Sequence, residues 1–394
     1  MKSTSVLISG ASIAGPALAY WLTRYGFDVT VVEKAPALRP GGQAVDFKGE
    51  THRTVLARMG ILDDVRRART DGGDGRVVDA AGRTLAVVPG EFNGGEIEIV
   101  RGDLARIVYD RTTATTAYVF DDSITSLTET ATGVDVTFLR SAPRTFDLVV
   151  GADGLHSNVR RLAFGPESGY VRHLGYYYAL ADVAVDAGDQ GELYGEPGRM
   201  AATGGSKAPA FFVFASAPLT YDRDDVPAQK QLVADAYRGG GWRIPELLAG
   251  LPASREFYLD SISRVTMDRY TSGRVALLGD AAYGNTLGGF GTGLAIVGAY
   301  VLAGELARAD GDHTVAFARY EESFRGYAKV SQKVNAGTLL APKTRLGMRL
   351  RNLLFSVSFL FTPLMRLTER FATDIDLQDY EAGRAAPELA DGPR

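Results

Sequence analysis

The residues best placed to do chemistry are glycines and single acids gathered at three points far apart in the chain. At the first, the short apolar run Val6-Leu7-Ile8-Ser9 leads into Gly10-Ala11-Ser12-Ile13-Ala14-Gly15. Pro16 and a run ending at Gly26 follow, then a second apolar run from Phe27 to Val32 that ends at Glu33. A strand, a glycine turn, a helix and a second strand are predicted, the strands short and β-branched as in a buried parallel sheet. Gly10 permits the turn and Gly15 lets the helix pack on the strand. Pro16 suits the first helical position and Gly26 the helix end. The free N–H groups of the helix start would face a pyrophosphate. Ser12 stands where G-x-G-x-x-G has its second glycine, and its hydroxyl can donate to phosphate. Glu33 can accept from both hydroxyls of an adenosine ribose. The unit reads as dinucleotide-binding rather than as an incidental βαβ turn. A secretory leader is rejected, because its cleavage would destroy the unit.

The second point is Gly151-Ala152-Asp153-Gly154, followed by His156-Ser157-Asn158-Val159-Arg160-Arg161. It lies at another strand-to-helix junction, where Asp153 and Gly154 could approach a ribose or pyrophosphate. Its plainer reading is an ordinary Asp-Gly turn. The third is Gly279-Asp280-Ala281-Ala282, delivered by the run Val275 to Leu278. Gly284, Gly288, Gly289, Gly291 and Gly293 then precede a helical run from Leu294 to Ala307. Glycine this dense between strand and helix brings bare backbone toward a ligand.

The chain has 394 residues, a formal net charge of −4 and no cysteine. The length suggests two domains sharing an interface, or one large domain with an insertion. The charge argues against a nucleic-acid partner. Without cysteine there is no thiolate metal site, no iron–sulfur cluster and no thiol nucleophile. A reducing cytoplasm fits this composition. The four histidines, His52, His156, His173 and His313, lie far apart, so neither a zinc site nor a Ser–His–Asp triad is expected. No metal is expected, and the chemistry falls to a cofactor.

The elements that must position these groups can be read in order. Lys34 to Gln43, with two prolines and Gly41-Gly42, is a loop. A helix follows over Val55 to Val65, short strands over Gly75 to Ile99, and a helix from Arg101, which by itself reads as one half of a surface ion pair. From about Tyr170 to Tyr270 aromatic and β-branched strands dominate, predicting a mostly antiparallel sheet with a helix over Gln229 to Tyr237. The basic, apolar stretch Lys343 to Ala372 is too interrupted to span a bilayer. It is expected to pack on the body as helices rather than lie on a membrane surface. The chain after Asp376 is expected to fray.

Taken together, the three motifs resemble those of the single-component (group A) FAD-dependent aromatic hydroxylases, the para-hydroxybenzoate hydroxylase family. Within it the chain is most similar to actinobacterial antibiotic-tailoring and tetracycline-modifying flavin monooxygenases. The resemblance reaches from the first residues to about Ala307. It implies an α/β (α+β) fold: a Rossmann-like FAD-binding domain with an inserted, mostly antiparallel substrate sheet and a C-terminal helical segment. The corresponding boundaries are 1–169 and 271–340 for the FAD-binding domain, 170–270 for the sheet, and 341–394 for the helices and tail.

By resemblance, Gly10, Ala11, Ser12, Ala14, Gly15, Glu33 and Lys34 would hold the adenosine diphosphate half of FAD. Arg101, in the family's R-x-x-L element, would bind near the pyrophosphate, which reverses its reading as a surface ion pair. Asp153 and Gly154 match a motif that serves both FAD and NAD(P)H. Asp280 would bind the ribityl or ribose side. Gly291, Thr292, Gly293 and Leu294 would point N–H groups at the isoalloxazine, and Asp46 falls in a flavin-lining loop. The implied reaction uses NADPH or NADH and O2, and hydroxylates or epoxidises an apolar aromatic or polyketide-like molecule through a C4a-hydroperoxyflavin. Tyr177, Phe212, Phe214 and Trp242 are the candidate substrate walls, and a monomer or homodimer is expected. Two departures from the family stand beside Asp280: Tyr283 replaces a common histidine, and Thr286-Leu287 replaces a proline pair. They leave open a redox-neutral FAD-containing cyclase or isomerase. A non-catalytic antibiotic-sequestering protein and a plain NAD-dependent dehydrogenase are further alternatives.

Overall fold

The computed structural model describes residues 4–70, 73–88, 97–183, 185, 191–205, 208–332, 334–356 and 375–381. A parallel sheet forms the base of the nucleotide-binding body. Ser5–Ser9 lies at its centre, flanked by Leu148–Gly151 on one side and Asp28–Glu33 on the other. Val275–Leu277 and Ala117–Phe120 extend it in parallel, and Thr271–Ser272 closes one edge antiparallel. The inner strands are mostly apolar because both faces are covered.

Two helices do most of that covering. The first, Ala14–Arg24, buries Ala17, Leu18, Trp21 and Leu22. It begins two residues before Pro16, so the proline is the third helical residue rather than the first. Its missing N–H still costs nothing, because the first helical bond is donated by Ala17 to Ile13 at 3.0 Å. The second, Gly291–Arg308, is apolar on every side and buried along nearly its whole length, as befits a helix enclosed by protein. It packs on the first helix and on His313–Ser331.

The second layer is a seven-stranded sheet that starts at the edge strand Phe257–Val265 and continues through Val171–Ala181, Ala208–Ala215 and Arg199–Gly205. All its pairings are antiparallel except Glu192–Glu196 with Gly75–Val78. The strands Gly75–Val78 and Thr84–Val88 therefore belong to this sheet, although they lie within the 1–169 segment expected to belong to the nucleotide domain alone. The helices Val226–Tyr237 and Ile244–Gly250 roof one face. The other face turns toward the nucleotide body.

At the C-terminal end, the helix Arg345–Ser356 lays Phe355 against the hairpin residues Val77, Ala86 and Val88. Its Leu346, Leu350 and Leu353 face solvent. The rest of the basic, apolar stretch, including Phe359 to Phe361 and Pro363, lies outside the described residues. The expectation that the chain frays after Asp376 is corrected by residues 375–381. Tyr380 is buried and donates to Glu305 at 2.6 Å, and a Cβ at Gly304 would overlap its ring.

Candidate active site

Because the inner strands run parallel, their C-terminal ends open on one edge. Ser9 is in register with both Gly151 and Val32, and Gly151 with Leu277. Gly10, Glu33, Asp153 and Asp280 therefore meet although up to 270 positions separate them, and the carboxyl ends of parallel strands are where α/β folds bind ligands. The exits are laced together by backbone bonds: Gly10 donates to Val32, Ala152 to Ser9 and Leu278 to Gly151, at 2.8 to 2.9 Å.

The first turn depends on two glycines and one carboxylate. Gly10 has φ +107°, and a Cβ there would come within 2.5 Å of the Ala152 carbonyl oxygen. A Cβ on Gly15 would overlap the Gly10 carbonyl. Glu33 accepts from the Ala11 N–H at 2.8 Å through one oxygen and from the Ala35 N–H at 2.9 Å through the other. Its carboxylate is thus fixed at the end of its strand with lone pairs to spare. Lys34 is exposed beside it.

Arg101 starts the helix Arg101–Asp110. Its N–H donates to the Gln43 carbonyl at 3.2 Å, and that of Gly102 to the Gly41 carbonyl at 2.9 Å. This zips the Gly41–Gln43 loop onto the helix start. The Arg101 guanidinium donates to the Ser12 hydroxyl at 2.8 Å. It also offsets the charge of Asp280, whose carboxyl opens on the cleft yet is raised in pKa by burial. Gly279, at φ +66°, brings Asp280 there: a Cβ at this position would meet Ala14 and Ala295 at 3.3 and 3.4 Å. A Cβ on Gly291 would stand 3.3 Å from the Asp280 carboxylate. Thr292, Gly293 and Leu294 continue that helix start, and a Cβ on Gly293 would overlap the His52 imidazole beneath it. His52 accepts from the Lys48 N–H at 3.1 Å, so its other ring nitrogen carries the proton and donates to the Tyr327 hydroxyl at 3.0 Å. Asp46 lies on the strand Ala44–Phe47, in register with Glu98.

This edge carries two helix N-termini, a guanidinium, and carboxylates able to accept from hydroxyls. Such a set suits the two phosphates, ribose and ribityl chain of FAD.

Other expected residues are placed differently. The Asp153 carboxylate is occupied by its own loop: it accepts from the Ser157 hydroxyl and from the N–H groups of Asn158 and Val159 at 2.9 and 3.0 Å. That caps the helix Asn158–Ala163, while Gly154, at φ +82°, faces open space. Tyr283 does not line the cleft. It is enclosed in the core with its ring on Tyr270 and Phe324, and its hydroxyl fills the space a Cβ on Gly298 would need. Leu287, at φ +57°, packs against the body-facing side of the large sheet, and Thr286 is bonded to Ser263.

The expected substrate walls are corrected by the pleat. Tyr177, Phe212 and Phe214 point into the roofed face, with Phe212 and Phe214 edge-on to Tyr237 and Tyr177 stacked on Phe214. Trp242, at φ +52°, stacks on Tyr194 on that same side. Side chains alternate along a strand, so their immediate neighbours Tyr176, Tyr178, Phe211 and Val213 face the nucleotide body instead.

Two further residues, Arg160 and His156, bind the site together. Arg160, fully buried, donates to the carbonyls of Ala281 and Leu155 at 2.8 and 2.6 Å, tying the second motif to the third. His156 places one ring nitrogen 3.0 Å from Glu167 and the other 3.0 Å from Asp260 of the large sheet. Burial alone would lower its pKa, but those two hydrogen bonds outweigh burial and raise it. The His156–Asp260 contact spans 104 positions, so local sequence carries no sign of it.

Residues 3–235 match the family described as FAD binding domain. A flavin-dependent monooxygenase of Legionella longbeachae is 39% identical over 344 residues, covering 84% of this chain and 88% of that protein. The crystal structure of tetracycline destructase Tet(51) superposes with a TM-score of 0.82 at 31% identity, over 96% of this chain and 100% of that one. Tetracycline destructase Tet(55) gives 0.80 at 35% identity, over 96% and 99%. With the match to the family spanning more than half its length and relatives above 30% identity over most of the rest, the chain belongs to the FAD-dependent monooxygenases.

Proposed function

We propose that the enzyme uses NADPH or NADH and O2 to hydroxylate or epoxidise an apolar aromatic or polyketide-like molecule held between the cofactor and the large sheet. Bound FAD would supply the redox chemistry, accepting a hydride and delivering activated oxygen to an electron-rich carbon. The protein's own residues bind, orient and exclude water. Ser12, Arg101 and the first helix start hold the pyrophosphate. Glu33 takes the adenosine ribose, and Asp280 the ribityl side. The N–H groups of Gly291 to Leu294 face the ring edge that gains negative charge on reduction. The observation that carries the reading is the meeting of these groups at one sheet edge, opposite an apolar face bearing Tyr178, Leu180 and Phe211. Similarity to a flavin-dependent monooxygenase and to a tetracycline destructase supports the oxygenase reading. Two features support a cytoplasmic setting: the chain has no cysteine, and no described helix is long and apolar enough to cross a membrane.

The test is anaerobic. The FAD-loaded protein is mixed with NADPH or NADH while flavin absorbance is followed, with and without polycyclic aromatic ligands. Bleaching that quickens with ligand, and oxygen uptake on admitting air, are the expected results. A flavin that stays oxidised with both nicotinamides would overturn the self-reducing reading.

A further inference from the structure

The helix Arg345–Ser356 is divided lengthwise into two unlike faces. On the inner face Phe355 packs against Val77, Ala86 and Val88 of the hairpin. Arg351 is buried beside it, donates to the Leu340 carbonyl at 2.7 Å, and occupies the space over Gly195, where a Cβ would meet its guanidinium at 3.4 Å. The outer face carries Leu346, Leu350 and Leu353, which are 66%, 58% and 60% exposed. Steps of four and three residues put them on one stripe. Among the described residues, no other helix exposes more than one large hydrophobic side chain. Arg345 and Arg349, one turn apart and both exposed, flank that stripe along one side. Nothing in the surrounding sequence cancels them: from Ser323 to Thr368 it holds no acid, in a chain whose net charge is −4. The acids of the adjoining strand, Glu192 and Glu196, share the opposite side of the sheet with Tyr194 and are paired with Arg76 and Arg199. Lys343, just before the helix, lies over the Tyr176 ring at 5.3 Å and so is directed to the sheet.

We propose that this outer face is a docking surface for an anionic lipid membrane. The leucines enter the boundary between headgroups and acyl chains. The two arginines stay at the level of the lipid phosphates, the arrangement of a helix lying in the plane of an interface. Charge decides the occupant. A second copy of the chain laid on the stripe would bring like-charged arginine rows together, whereas anionic headgroups answer the arginines and the leucines at once. Three leucines and two arginines make a reversible, salt-sensitive contact rather than an anchor. Phe355 and Arg351 keep the inner face on the protein while the outer face meets lipid, so docking requires no unfolding. This contact is independent of the reaction at the sheet edge.

The experiment uses the FAD-loaded full chain, sedimented at low salt with vesicles of phosphatidylcholine alone or of phosphatidylcholine with about one-third phosphatidylglycerol. The wild type is expected to sediment with the anionic vesicles and to stay in solution with the neutral ones. Arg345→Gln and Arg349→Gln should each lower partitioning about fivefold. Replacing Leu346, Leu350 and Leu353 together by Gln should reduce binding to background, although the charge is unchanged. All these positions are exposed, and an unaltered flavin spectrum and melting temperature show that each variant is folded. Failure of the wild type to bind anionic vesicles would overturn the proposal. So would a triple variant that binds like the wild type, because the contact would then lie elsewhere on the chain. Sedimentation velocity without lipid tests the other occupant: a wild-type dimer that the triple variant dissolves would assign the stripe to a second copy and overturn lipid docking.

Discussion

The Arg101 guanidinium donates to the Ser12 hydroxyl at 2.8 Å, joining the residue that departs from the glycine pattern to a helix 89 positions away. In the proposed pyrophosphate site the serine would therefore supply a hydroxyl and anchor the cation that shares its charge. Replacing Arg101 by Met removes a charge-assisted hydrogen bond. It should weaken FAD binding on the order of ten- to hundredfold, whereas Ser12→Ala should cost about three- to tenfold. Quenching of FAD fluorescence on titration measures both. Equal affinities in wild type and R101M would remove Arg101 from the site.

Gly293 and His52 form a second close pair. A Cβ at 293 would overlap the buried imidazole, which cannot swing away because both its nitrogens are engaged. Gly293→Ala is expected to destabilise the fold by about 1–3 kcal/mol, the usual cost of overpacking. Adding His52→Ala should recover part of that loss, read as the coupling term of a double-mutant cycle in urea.

His52 also sets a pH dependence. Burial, aided by the charge of Lys48, lowers its pKa to about 4. The folded state therefore favours the neutral ring. This contribution is fully present above the unfolded value of about 6.5 and is lost as pH falls toward 4, for a total of about 3 kcal/mol. The variant His52→Asn should show a flatter fall in stability across that interval.

The sign is opposite at His156. Its pKa is raised by Asp260 and Glu167, so its contribution is complete below the unfolded value and disappears as pH rises through the raised one. The stability gap between wild type and His156→Gln should narrow as pH is increased above about 6.5. A gap that stays constant or widens in thermal melts between neutral and alkaline pH would contradict a raised pKa at His156.

Tyr380 fastens the C-terminal segment by packing on Gly304 and donating to Glu305. Tyr380→Ala deletes a buried ring and leaves a buried carboxylate short of a donor, so unfolding should become easier by about 3–5 kcal/mol. Chemical denaturation measures it, and a loss below about 1 kcal/mol would show that the segment contributes little.

The local devices were legible in the sequence because local sterics decide them. Gly10 and Gly279 adopt positive φ as their places between strand and helix require, and Glu33 ends the second strand. The apolar runs announced a parallel sheet, and the glycines of the third motif announced a helix start. Parallel pairing then carried the three motifs to one edge.

Packing decided the rest. The pleat places Tyr178, not Tyr177, toward the nucleotide body, and which parity faces inward depends on where the helices Val226–Tyr237 and Ile244–Gly250 dock. Strand composition alone cannot specify this when both faces are aromatic. Tyr283 lies in the core because Gly298 and Phe324 make room for its ring, a fact held by two other helices. Asp153 serves its own loop because Ser157 and two free N–H groups stand within reach. His156 finds Asp260 only once the second domain has folded over the first. Motifs fixed by backbone geometry were thus determined by the sequence read by itself. Which side chains face the cleft was settled only when distant side chains competed for the same space.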